Sequence, residues 1–242
     1  MHQSAIVLRP TPGWAQTVLK EVAPGAHVAV LAADDLSALE GRRAGFYMRD
    51  CLSVLSLNGY RGLYLFRSPL SASTVAANVL EHGVGGIHIA ACHVGDDVRV
   101  NQPCGSPDNA YSGGWNTNPQ ATLATGRWPT NLLCVHPSGC KIVGRMRVKS
   151  GAPPPAGVDV KGKYKQTYEL GWSVRSTVHH GENGWEEIDQ WDCLPGCVLP
   201  AINDDAELEA GRFYPQLLGE TGLLDWITAL IAPPDTQPFL VL

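Results

Sequence analysis

The sequence lacks the short signatures that make an enzyme legible at sight. There is no GxGxxG, no P-loop and no GxSxG, so dinucleotide binding, phosphate cradling and a nucleophile elbow are not signalled. Long apolar runs are missing too. Stretches such as "HVAVLAA" are too short to cross a bilayer. The start, "MHQSAIVLRP", has no basic segment followed by a hydrophobic one, so no secretion signal is expected and a cytoplasmic location follows. Charged residues make up only 17% and the net charge is −5, which excludes a general polycation. Disorder is excluded from the other side, by 44% hydrophobic content. Seven cysteines are an odd number, unsuited to a secreted disulfide framework, and reduced thiols or metal ligands are expected instead.

What is present begins as alternating strands and helices. Ala5, Ile6, Val7 and Leu8 are a buried strand, and the segment Arg9, Pro10, Thr11, Pro12, Gly13, Trp14 leads from it into a helix. Trp14, Val18, Leu19 and Val22 have helical spacing, and Pro24-Gly25 stops them. "AHVAVLAA" is a second continuous strand. Asp34 or Asp35 can cap a short helix ending near Gly45, and two strands flank Asn58-Gly59. Ser71 or Ser73 can cap a helix carrying Val75, Val79 and Leu80, which Gly83 ends. At the far end, Leu223, Trp226, Ile227 and Leu230 mark a helix, Pro233-Pro234 a stop, and "PFLVL" a strand. Residues 1–91 and 216–242 therefore predict a layered α/β sheet made by the two ends. Residues 92–215, rich in Gly, Asn, Pro and Ser, predict an irregular insertion.

Two local patterns in the insertion carry chemistry. "HPSGC" places His136 and Cys140, and "CLPGC" places Cys193 and Cys197, each pair across a three-residue turn. One imidazole and three thiolates on two tight turns suit a closed, structural zinc site. The alternative is that these cysteines are small packing residues. Cys134 is a possible competing ligand, while Cys51, Cys92 and Cys104 have no partner spacing and read as plain packing residues. The second pattern is basic: Lys141, Arg145, Arg147, Lys149, Lys161, Lys163 and Lys165 against one acid, Asp159. Such a stretch can meet phosphate or be a solvated face. Trp128 and Trp172 can stack on a base or anchor a loop. His179, His180 and Glu182 read as polar surface.

Several phrases together resemble a known family. "GFYMRDCLSVL", "LYLFRSPLSASTVAANVLEHGVGGIHIAACHVG", "GRWPTNLL", "VGRMRVKS", "HHGENGWEEIDQWDCLPGCVLPAIN" and "GRFYPQ" are similar to the DNA amino-methyltransferases often found in phages and prophages, which methylate adenine N6 or cytosine N4. The likeness runs in the family's order across most of residues 25–231. It implies an incomplete Rossmann-like methyltransferase sheet with a loop-rich, zinc-bound insertion that serves target recognition. S-adenosylmethionine is the cofactor the family implies. In the permuted arrangement the catalytic loop comes first and the cofactor loop last.

Two departures qualify the resemblance. The family's catalytic loop is of the Asp-Pro-Pro-Tyr type, whose polar first residue and carbonyl accept hydrogen bonds from the target amine while the aromatic stacks on the flipped base. Here the aligned residues are Arg9, Pro10, Thr11, Pro12 and Trp14; arginine is a cationic donor and cannot accept. The family's Phe-x-Gly-x-Gly cofactor turn follows a strand like "PFLVL", but no residues follow Leu242. The expectation is a methyltransferase homologue without independent catalysis, serving as a DNA- or protein-binding scaffold. Two alternatives are a subunit of a split or oligomeric methyltransferase, completed by a second chain, and an assembly component such as part of a phage particle. No membrane partner is expected, and the location is a host cytoplasm or a virion.

Overall fold

The computed structural model describes residues 1–33, 35–101, 122–127, 131–149, 185–204, 209–233 and 236–241. The described residues form a mixed α/β structure. A seven-stranded sheet is built from β1 (His2–Val7), β2 (Val22–Ala32), β3 (Tyr47–Ser56), β4 (Gly59–Arg67), β7 (Leu132–His136), β10 (Gln216–Leu218) and β11 (Phe239–Val241). Its order is β10-β7-β3-β4-β2-β1-β11. Every neighbouring pair is parallel except those made by β4, which runs antiparallel to both β2 and β3. The reversal comes from the β3–β4 hairpin, where Ser56 pairs with Gly59 across two residues. Only Gly59 there has a left-handed φ, 97°, so the Asn58-Gly59 signal places its glycine after the turn, on the returning strand.

Helices cover both faces, which explains why the strands read as unbroken apolar runs. Against one face, α1 (Trp14–Glu21) and α2 (Leu36–Arg43) enclose Val7, Val28, Val30, Tyr64 and Phe66. Against the other, α5 (Gly219–Ile231) lays Leu223, Ile227, Leu230 and Ile231 over Ile6, Ala29, Leu31, Leu63 and Leu65. Alternate residues of β2 and β4 thus serve alternate layers.

Three local expectations are corrected. The first helix ends at Glu21 and Val22 already opens β2, so Pro24-Gly25 lies within an irregular stretch of strand rather than at a helix stop. The pairing of β1 with β2 skips there, from His2↔Val22 to Ser4↔His27. In α3 (Val75–His82) the cap is Thr74, whose hydroxyl accepts from the Ala77 N–H at 3.1 Å, in place of Ser71 or Ser73. The buried residue of that helix is Asn78, while Val75, Val79 and Leu80 are exposed. Asn78 is held because its amide donates to Pro24 O and Val84 O, both at 2.9 Å; three satisfied polar contacts outweigh apolar spacing on a helix only eight residues long.

The chain divides into two compact units: Met1–Val94 with Trp128–Val143 and Trp191–Leu242, and Gly95–Arg127 with Gly144–Gln190. β7 and the turns His136–Cys140 and Cys193–Cys197, although inside 92–215, belong to the unit that holds the sheet. The second unit contains paired strands β5 (Val94–Asn101) and β6 (Thr122–Arg127) and most of the pair β8 (Lys141–Lys149) and β9 (Trp185–Asp192). Asp34, Cys104, Trp128, Lys161, Lys163, Lys165, Trp172, His179, His180 and Glu182 lie outside the described residues. No helix among the described residues is long and apolar enough to cross a membrane.

Candidate metal centre and strand-end loop

His136 closes β7, and the chain turns immediately through Pro137, Ser138 and Gly139 to Cys140. Cys193, Leu194, Pro195, Gly196 and Cys197 make a second turn of the same length before α4 (Val198–Asp204). The two turns share a construction. The Cys140 N–H donates to Pro137 O at 3.0 Å, and the Cys197 N–H donates to Leu194 O at 3.1 Å. Each has glycine just before its second ligand. Gly196 requires it, with φ 82° and a virtual Cβ only 2.8 Å from the Leu57 side chain.

The turns bring four ligand atoms together. Those of His136, Cys140, Cys193 and Cys197 lie within 4.8 Å of one another. His136 Nδ1 is 3.6 Å from Cys193 Sγ and 3.4 Å from Cys197 Sγ. A tetrahedral zinc with ordinary Zn–S and Zn–N bonds sets such N–S edges at about 3.5 Å. The cluster can therefore hold a metal ion such as zinc. Burial supports the fit: His136 is fully buried, Cys140 and Cys197 nearly so. Burial also raises the Cys193 and Cys197 thiol pKa values, so an apolar pocket of thiols gains from a cation that stabilises thiolates.

The surroundings orient the ligands. The Leu194 N–H donates to Cys140 Sγ at 3.3 Å. Trp191 stacks on the His136 ring at a centroid distance of 3.9 Å and an angle of 15°. Burial lowers the His136 pKa, and the Gln216 side chain opposes that lowering. His136 Nε2 and Gln216 Oε1 are both buried. With Nδ1 facing the thiols, Nε2–H is free to point at that amide oxygen, a common second contact of a metal-bound histidine. Cys134 is buried but is not one of the four converging ligands. Cys92 is buried as expected, whereas Cys51 is exposed and is not a core packing residue.

Topology marks a second candidate position. From β1 the chain passes through α1 to β2 on one side, and β11 flanks β1 on the other, all parallel. Open α/β sheets bind ligands outside the carboxyl ends of strands at such a switch point. Residues 8–13 occupy this point, and the Leu8 N–H donates to Val241 O at 3.0 Å. Arg9, Thr11 and Pro12 are exposed and Pro10 is half-buried. Trp14 is different. It is 3% exposed and packs on Phe46 and Phe66 at 5.9 and 6.0 Å. The loop aromatic expected to stack on a base is thus part of the core. The start of α1 is occupied as well, because Glu40 Oε1 accepts from the Gly13 and Ala15 N–H groups at 2.9 and 3.2 Å. No sequence signal linked Glu40 to this helix, since the contact spans two elements.

The basic stretch is partly engaged. Lys141, Arg145 and Arg147 are exposed on β8, and Lys149 is its last residue. Arg145 donates to Glu187 O at 3.2 Å, and Arg147 lies 5.7 Å over the Trp185 ring. Paired strand β9 carries Glu186, Glu187, Asp189 and Asp192 and no cation, four acids against four bases on β8. Neither family models, characterised proteins nor solved structures show a significant match to this chain.

Proposed function

We propose that this protein is a homologue of the DNA amino-methyltransferases that does not transfer methyl groups on its own and acts as a zinc-clipped scaffold for DNA or a protein partner. The observation carrying this reading is the switch-point loop. Amino-group methylation needs a hydrogen-bond acceptor and a free aromatic at the strand end. Here the exposed side chains are Arg9 and Thr11, the aromatic Trp14 is packed inward, and the α1 amides already hold Glu40. Zinc, held by His136, Cys140, Cys193 and Cys197, has the structural role of joining two turns distant in sequence.

The basic positions of 141–165, with Trp128, are where DNA would be met. In this reading the phosphate contacts fall to Lys161, Lys163 and Lys165, because β9 sets four acids beside the four bases of β8. Replacing these three together should flatten the salt dependence of DNA binding; an unchanged slope removes them from the interface. Catalysis is tested by incubating the metal-loaded chain with labelled S-adenosylmethionine and unmethylated DNA. The expected result is no label above a protein-free blank, and steady incorporation refutes the reading.

One observation favours a split or oligomeric enzyme. β11 is one edge of the sheet among the described residues, the one beside the switch point. A strand from a second chain can pair there, and that chain can bring the cofactor loop.

A further inference from the structure

A row of polar residues crosses the amino-terminal half of the main sheet. Register pairs Ser4 with His27, His27 with Arg67, and Arg67 with Tyr47. Neighbouring strands are about 5 Å apart, so these residues leave the sheet side by side. Their parity puts Ser4, His27 and Arg67 on the face of Ile6, Ala29 and Leu65, the layer covered by α5.

Apolar neighbours make this row anomalous. Ser4 and His27 are 1% exposed and Arg67 9%. Yet Ser4 Oγ, His27 Nδ1 and Arg67 Nε are buried without a hydrogen-bond partner. Buried polar groups rarely remain so. Among the described residues, no carboxylate acts on this charge. The groups that act on His27 are Arg67, Arg49 and His88, and those that act on Arg67 are Arg49 and Tyr47. Arg67 lies 5.8 Å from the Tyr47 ring centroid, but a ring face does not neutralise a guanidinium. Arg49 is exposed and His88 half-buried, which gives the row a cationic approach from solvent.

A buried cation without a counter-charge is costly. Water can satisfy Ser4 and His27 but leaves the charge. We propose that Ser4, His27 and Arg67, with Arg49 and His88 at the rim, form a binding site for a small oxyanion, inorganic phosphate or sulfate. Three donors of different geometry suit a tetrahedral anion, and Arg67 supplies the planar fork that such anions take. The deeply set groups suit a free anion better than a polymer backbone. The site is at the opposite strand end from the residue 8–13 loop, so it stands or falls independently of the methyltransferase reading.

The test is the thermal midpoint of the full chain against inorganic phosphate, with sodium chloride holding ionic strength constant. The midpoint should rise with phosphate. R67Q should abolish the rise. R49Q, at an exposed position, should fold normally and weaken apparent phosphate affinity about tenfold. Should R67Q not fold, R49Q and S4A carry the comparison. No rise beyond the chloride control, or an equal rise in every folded variant, overturns the site. A dinucleotide phosphodiester that acts as strongly as phosphate overturns the assignment to a free anion.

Discussion

Trp14 opens α1 and turns its indole into the core against Phe46 and Phe66. Two readings of this residue were available in the sequence. Its spacing to Val18 pointed to a buried helix face, and its place after Pro12 pointed to a loop aromatic near chemistry. Packing decided for the helix face. Trp14→Ala should therefore cost about 3–5 kcal/mol in urea denaturation; a cost below about 1 kcal/mol would return the indole to the surface. His27 is a second case. Burial first, then Arg67, Arg49 and His88, lower its pKa from 6.5 to about 4. Ser4 is its neutral neighbour on β1. Because the folded value lies below the unfolded one, the unfolded chain takes the proton first as pH falls. The stability tied to neutral His27 is full above about pH 6.5 and lost towards about pH 4, by at most about 3 kcal/mol. H27Q should remove this component of the acid sensitivity, measured as the difference between variant and parent denaturation at neutral and acid pH. Identical pH profiles would contradict the burial argument.

At the scale of elements, local signals were the readable ones. Each ligand pair sits on its own tight turn, so His136, Cys140, Cys193 and Cys197 could be named from spacing, and the structure brings them together. Their partners were not readable. Gln216 and Trp191 reach the centre only through folding of distant segments, and β7 and β10, five and three residues long, carry too little periodicity to be seen. Gln216→Leu should weaken zinc affinity about 10–100-fold in chelator competition while leaving four ligands in place; unchanged affinity would remove Gln216 from the centre. For α3, hydroxyl capping was expected from the wrong residue, because Ser71, Ser73 and Thr74 are chemically alike and only backbone geometry chooses Thr74. Thr74→Ala should cost about 1 kcal/mol, against near zero for Ser73→Ala. Equal costs would mean the cap is shared.

At the scale of the whole molecule, the two ends do meet in one sheet, where β11 pairs with β1 and β7 from the middle of the chain joins them. The antiparallel insertion of β4 between β2 and β3 was not legible, since a hairpin signal says that two strands pair and not which neighbour the second strand gains. The converging ligand atoms of His136, Cys140, Cys193 and Cys197 bring the turn after β7 against the turn before α4 within one compact unit. Stripping zinc with a strong chelator should lower the thermal midpoint and zinc alone should restore it, and this zinc-dependent shift should be lost in a Cys140→Ser chain. The most direct test of the central claim is calorimetric titration of the zinc-loaded chain with S-adenosylmethionine. A protein without independent methyl transfer should give no saturable heat up to millimolar cofactor. Saturable binding in the micromolar range would contradict it and make the strand ends beside Arg9 and Thr11 a working cofactor site.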